Sequence, residues 1–413
     1  MTDNAPSGDR IATLDVVRGV AVMGILIMNI VAFGMPETAY LNPRAYGGDS
    51  GVDLGVYLFN FVFFDGKMRG LFSFLFGAST LLVIERAEAR GANAARVHFA
   101  RMAWLLVFGL LHLYLLWSGD ILNHYAQIGM ILFWFRNWRP RSLVIAGVIL
   151  LALQSILFAG LPVSVAVAEA NASRPNATAK AIERLQNQEN SFGKPAATEL
   201  AKELKAYRGN YADIIARLGK DGPAPVIGLL TLFGMETLAY MMMGMAMLKT
   251  GMLRGEWPVD RYRRWLLIGF GIGIPAYCAI AWYLVAARFT AFAVTLGVIA
   301  LSTPFRPLMI MGWASLIALL ARMRGPLIER IGAAGRMAFT NYLMTTIVCT
   351  TVFNGYGFGL YGYLSRAQLY LVIFGMWALM LLWSKPWLDR FRYGPFEWVW
   401  RSLSRGAFQP MTR

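Results

Sequence analysis

Residues 11–35 read IATLDVVRGVAVMGILIMNIVAFGM. Only Asp15 and Arg18 are charged, and both fall in the first third of the stretch. At about 1.5 Å rise per residue, the rest is long enough to cross a bilayer as a helix. Arg10 precedes the stretch and small residues end it, as in a secretory signal. However, Asp15 and Arg18 interrupt the apolar core and no small-x-small cleavage site follows, so an uncleaved span is predicted.

The same pattern recurs along the chain. Further spans are predicted at 100–118, 120–136, 142–167, 225–248, 265–287, 337–353 and 369–384. Another ends near Glu85 and starts between Asp53 and Gly70, and another ends near Leu320. That makes about ten, in an all-α polytopic membrane protein forming one transmembrane domain over residues 1–413. Residues 289–321 can form one span with a re-entrant piece, or two spans broken at Thr303-Pro304. Composition agrees: 57% of the 413 residues are hydrophobic and 15% charged, against roughly 25% charged in soluble domains. This excludes a disordered chain, a coiled coil and a cytosolic globular enzyme. Cys278 and Cys349 fall in spans, so no disulfide framework is expected.

The net charge of +16 would suggest a nucleic-acid partner in a soluble chain. Here it reports orientation instead, with the lipid bilayer as partner. With the N-terminus inside, 24 of the 39 basic residues lie on inner segments, from Arg10 and Arg18 to Arg405 and Arg413. Six lie on short outer segments: Arg44, Lys67, Arg69, Arg288, Arg306 and Arg366. Both termini are therefore predicted to be cytoplasmic, with 385–413 as a cytoplasmic tail. The other nine basic residues lie in one long periplasmic loop, 168–222. Within it, 196–218 has helical periodicity and is expected to form an amphipathic helix across that face, either as a lid or within a solvated linker.

Charged groups inside a bilayer are costly, so they usually face a cavity or a partner. Asp15 and Arg18, three apart, can pair on one helix face or hold an anionic group at the cytoplasmic mouth, where Arg336 can join them as a phosphate ligand. Asn29 sits about 16 Å further up the same helix. Asp65, Lys67 and Arg69 lie near the outer surface, suited to a substrate mouth or to snorkelling. His112, Asp120 and His124 are predicted to converge near the periplasmic surface, because the turn at Ser118-Gly119 is short and Asp120 and His124 are four apart. A histidine beside a carboxylate can act as a general base, bind a metal or join two helices; no metal is predicted. Glu236 is mid-span, where proton coupling, substrate contact and a bond to another helix are all open, with Tyr240 one turn on. His98 is expected at the surface. Gly269, Gly271 and Gly273 allow close helix approach, within the chain or in a homodimer. There is no Walker phosphate loop, Rossmann fingerprint, G-x-S-x-G elbow or H-E-x-x-H.

The segments LDVVRGVAVMGILIMN (14–29), GKMRGLFSFLFG (66–77), GLLH (109–112), GDILNHY (119–125), GRMAFTNYL (335–343) and GPFEWVWR (394–401) resemble the YeiB family of bacterial membrane proteins, a domain of unknown function numbered 418. The resemblance runs in order over nearly the whole chain. It implies kinship with transmembrane acyltransferases, which move an acyl group from cytoplasmic acyl-CoA to an acceptor across the membrane and share the Leu-Asp-x-x-Arg-Gly opening. The sugar O-acyltransferase branch carries a catalytic histidine near the outer end of the first helix, where this chain has Asn29. The lysosomal heparan N-acetyltransferase branch has its histidine shortly after that helix, but residues 30–66 contain none. The resemblance therefore implies His112 as base, with Asp120 or Asp65 as partner, Asn29, Lys67 and Arg69 near the reacting group, and Asp15, Arg18 and Arg336 at acyl-CoA. Two other functions stay open: a proton-coupled exporter of a small amphipathic or lipid-like compound through Glu236 and Asp65, and a non-enzymatic lipid-binding protein.

Overall fold

In the computed structural model, which describes residues 11–412, the chain is helical and forms no β-strand among them. Arg10 and Arg413 lie outside the described residues. The helices are α1 (Ala12–Gly34), α2 (Gly51–Phe63), α3 (Lys67–Ala89), α4 (Ala94–Leu115), α5 (Leu122–Leu132), α6 (Pro140–Ala172), α7 (Ala179–Phe192), α8 (Ala197–Tyr207) and α9 (Tyr211–Gly219). They continue as α10 (Ala224–Lys249), α11 (Val259–Ala286), α12 (Ala291–Val294), α13 (Arg306–Ala321), α14 (Pro326–Arg336), α15 (Ala338–Phe353), α16 (Arg366–Arg390) and α17 (Pro395–Arg405).

Among the described residues, eight helical segments are long and apolar enough to cross a membrane. The chain is a polytopic α-helical membrane protein. Two of the ten predicted spans are shorter than a crossing. Helix α15 has 16 residues and α5 has 11, extended only by a 3₁₀ turn at Phe133–Phe135. Both lie among other helices and bury polar side chains, so neither has to match the lipid thickness. Residues 291–321 are one continuous segment, passing from α12 through a π turn (Thr295–Leu301) and a 3₁₀ turn (Thr303–Phe305) into α13.

Burial separates an inner set from an outer ring. The apolar windows of Ala12–Gly34, Gly51–Ala89 and Ala291–Ala321 are 61–72% buried, whereas the other five are 28–39% buried and present Leu, Ile and Val outward. Helix α1 is central, against α3, α13, α14, α15 and α16. Its contact with α14 is backbone to backbone. A Cβ at Gly335 would lie 2.0 Å from the Asp15 carbonyl oxygen, and one at Gly19 would lie 2.1 Å from that of Ile331. The glycines of the two quoted motifs thus bring the segments that carry Arg18 and Arg336 together. A Cβ at Gly269 would lie 2.4 Å from the Leu308 carbonyl oxygen, so that glycine serves packing onto α13 within the chain.

The long loop is helical and docked. The predicted helix 196–218 is two helices, because the chain breaks after α8 at Gly209 and a capping box of Asn210 and Asp213 starts α9. Helix α7 was not predicted. Tyr207 stacks on Tyr361 at 4.5 Å, Arg208 donates to the Tyr361 carbonyl, and Tyr211 donates to the Leu115 carbonyl at the end of α4. The predicted tail is also ordered. Helix α16 runs on to Arg390, and α17 packs on α4 and α15. Its Glu397 accepts hydrogen bonds from the backbone N–H groups of Phe339 and Thr340, and so caps the N-terminus of α15.

Candidate functional site

Gly109 brings α4 onto α5: a Cβ there would lie 2.2 Å from the backbone nitrogen of Asn123. One turn further along α4, His112 meets Asp120. Asp120 precedes the first turn of α5, where its Oδ2 accepts from the Asn123 backbone N–H and side-chain amide, each at 2.8 Å. Its Oδ1 is thereby held toward α4, 2.8 Å from His112 Nδ1, a close contact without full hydrogen-bond alignment. The other imidazole nitrogen, Nε2, is 2.9 Å from Thr346 Oγ1 on α15. All three side chains are buried.

His124 does not join them. Asp120 lies before the helix rather than in it, so the spacing of four does not put the two on one face. His124 Nε2 instead meets Thr237 Oγ1 of α10 at 2.9 Å. Asn29 does come close: it borders a cavity of about 10 Å³, the size of one water, together with Tyr342 and Thr346. The Tyr342 ring is 5.3 Å from that of His112, and its buried hydroxyl has no hydrogen-bond partner.

A second cavity, of about 640 Å³, lies between this cluster and the arginine-rich ends of the helices. Its mouth carries Arg18, Arg86, Arg90, Arg101, Arg336, Arg392 and Arg401, against two carboxylates, Asp15 and Glu397. Arg18 lies 3.5 Å from Asp15 and donates to Ser79 Oγ at 2.8 Å. Deeper in, the wall is apolar, with Ile25, Phe72, Leu75, Leu105, Ile121 and Leu122, and it includes Tyr125 and Tyr342. Ile25 and Tyr342 border both cavities. The volume lies within the ordinary range for a small-molecule site. Arg18 and Arg336 both line this mouth. Arg86, Arg101 and Arg401 lie there as well; in the sequence alone each is indistinguishable from orientation charge. His98, predicted at the surface, is buried on the cavity wall, with Nε2 2.9 Å from the Gly129 carbonyl oxygen.

The remaining polar groups have other partners. Glu236 is closed between two guanidiniums: Arg69 donates to Oε2 at 2.8 Å, and Arg306 is hydrogen-bonded to Oε1. Tyr240 also donates to Oε1, at 3.0 Å. Arg306 was read as outer-loop charge, but it is buried. A mid-span carboxylate that needs a counter-ion was the signal that could have found it. Lys67 is fully buried rather than in a wet mouth, with Nζ 3.2 Å from the centre of the Tyr277 ring and donating to the Phe61 carbonyl at 2.5 Å. Asp65 accepts from Tyr40 at 3.3 Å and lies apart from His112's partners. Among the described residues, no group of three or more His, Cys, Asp or Glu is placed to hold a metal ion.

Comparison with known proteins places the chain among relatives of similar length. The family model described as "Protein of unknown function (DUF418)" matches residues 247–407. The chain is 33% identical over 415 residues to a protein of Escherichia coli strain K12 named YeiB, covering 97% of this chain and 98% of that one. It is 31% identical over 420 residues to a protein of Bacillus subtilis strain 168 named YxaH, covering 98% and 97%. A protein encoded beside an amylase gene of Bacillus acidopullulyticus is 25% identical over 400 residues. No solved structure matches.

Proposed function

The chain belongs to the YeiB family, and from that premise we propose that it is a membrane-embedded acyltransferase of the bacterial inner membrane. Both termini are cytoplasmic in this reading, so the arginine-lined mouth faces the cytoplasm. One observation carries the proposal. A single cavity joins a guanidinium-rich mouth to an apolar interior that ends at Tyr342, the neighbour of His112. An acyl-CoA has that polarity, with phosphates at one end and an apolar acyl arm at the other. Arg18, Arg86, Arg101 and Arg336 suit the phosphates, since guanidiniums form charge-assisted bonds with them. The wall from Phe72 to Leu122 suits the arm.

At the inner end, Asp120 orients His112. A carboxylate at Nδ1 favours the tautomer with its proton there and leaves Nε2 to accept one. His112 can then take the proton of an attacking hydroxyl while Asp120 stabilises the imidazolium. Asn29 and the free hydroxyl of Tyr342 border the space where negative charge would develop on the thioester oxygen, and each can donate to it. Lys67 and Arg69 are engaged at Tyr277 and Glu236, so no role at the oxyanion is assigned to them. A proton-coupled exporter draws less support, because Glu236 is ion-paired to Arg69 and Arg306.

The test uses the full chain in lipid nanodiscs with acetyl-CoA and palmitoyl-CoA, following free thiol release and acylated product. His112→Ala should lower thiol release by about 10²–10⁴-fold while the protein stays monodisperse. Equal release from the variant, or none from the unaltered chain, would contradict acyl transfer at this site. pH-driven export that depends on Glu236, with no acylated product, would favour the exporter instead.

A further inference from the structure

We propose that Thr346 is the nucleophile of a two-step transfer, holding the acyl group as an ester between the donor step and the acceptor step. This rests on the acyltransferase reading above. Both imidazole nitrogens of His112 are already engaged: Nδ1 faces Asp120 Oδ1 at 2.8 Å, and Nε2 faces Thr346 Oγ1 at 2.9 Å. With the proton on Nδ1, the lone pair of Nε2 points at one hydroxyl, that of Thr346. An incoming acceptor cannot reach that lone pair without displacing it. Nucleophile, base and orienting carboxylate within hydrogen-bond reach form the arrangement that activates a serine or threonine for covalent catalysis.

The surroundings agree. Thr346 lies one helical turn above Tyr342, which walls the large cavity, and itself borders the water-sized cavity with Asn29. It therefore stands just past Tyr342 at the inner end of the chamber that opens among the arginines, against a space no larger than one water. The competing hydrogen bond of the Thr346 hydroxyl, to the Tyr342 carbonyl, is long at 3.4 Å. Thr346 is 1% exposed, so an ester formed there is shielded from bulk water.

In the first step, the bond from the thioester carbon to Thr346 Oγ1 forms and its bond to sulfur breaks. The hydroxyl proton passes to His112 Nε2 and then to the departing thiolate. In the second step, an acceptor hydroxyl or amine attacks the ester and gives its proton to Nε2. The bond from carbon to Thr346 Oγ1 breaks, and the proton returns to Oγ1. Donor and acceptor need never occupy the site together.

The experiment incubates the full chain in nanodiscs with acetyl-CoA or palmitoyl-CoA carrying a radiolabelled acyl group, without acceptor. Wild type and Thr346→Ser should take up label that survives denaturation, is released by alkaline hydroxylamine and maps to residue 346. Thr346→Val, which keeps the shape and loses the hydroxyl, should take up none, and its thiol release should fall by about 10³-fold or more. Rescue by serine separates a nucleophile from a merely structural threonine. The relay is overturned if Thr346→Val transfers acyl groups at the wild-type rate while His112→Ala does not, or if label maps elsewhere; direct transfer by His112 would then stand. If wild type releases no thiol from either thioester, the acyltransferase reading fails and takes the relay with it.

Discussion

At the scale of single residues, the His112 site depends on a missing side chain. Gly109 lets α4 touch the backbone of Asn123, and that contact sets the separation of His112 from Asp120. Gly109→Ala has to push the two helices apart. It should lower stability by about 1–3 kcal/mol, as overpacking does, and lower acyl transfer by more than that loss explains. Thermal unfolding and thiol release on one sample check both, and an alanine variant with wild-type values would contradict the assignment. The pairing of His112 with Asp120 was legible in the sequence, because a short turn must place the ends of two helices side by side. The separation of His124 was not. It depends on α5 starting two residues after Asp120, and a helix start is set by its cap and neighbours rather than by spacing. Arg306 was hidden for a similar reason: beside the possible break at Thr303-Pro304 it counts as charge on a short outer segment, while the buried carboxylate it serves is 70 residues away in sequence.

At the scale of elements, the ends of helices matter most. Met337 interrupts the path from α14 to α15, and the first N–H groups of α15 are satisfied by Glu397 of α17. Burial pushes the Glu397 carboxyl above its ordinary range, against the lowering effect of the bonds from Thr340 and Phe339. Because the folded-state value is raised, the folded chain binds that proton more tightly than the unfolded chain. The contribution of Glu397 to stability therefore grows as pH falls through the raised value. Glu397→Gln is neutral throughout, so its melting temperature relative to wild type should decline as pH falls from neutral toward the ordinary glutamate range. Paired melting curves across that range measure it, and a constant difference would show that the carboxyl is not perturbed. The same helix walls the arginine mouth through Arg401 and Trp400, and Trp400 also donates to the Arg101 carbonyl. A segment that reads as a basic tail thus belongs to the cavity. Its periodicity was there to read, but nothing local says which helix it packs on.

At the scale of the whole molecule, basic residues separate by face. Arg18, Arg86, Arg101, Arg336 and Arg392 gather at one end of the bundle, while Arg44 and Arg288 meet at the other, under the docked helices α7–α9. A fluorescent reporter that matures only in the cytoplasm should light when fused after residue 413. A reporter active only in the periplasm should respond within 193–196, between α7 and α8; the reverse pattern would invert the proposed entry side of the donor. The class of the protein, most of its apolar spans, its family and the contrast between basic and apolar segments are legible in the sequence alone. These follow from local composition, because a bilayer penalises each charged or unpaired backbone group wherever it occurs. Which polar residues meet across distant helices came only with the fold: His112 with Thr346, His124 with Thr237, Glu236 with Arg306, and the arginines of separate segments around one mouth. Such meetings depend on close approaches between helices far apart in sequence, and no periodicity along one helix records the face of another.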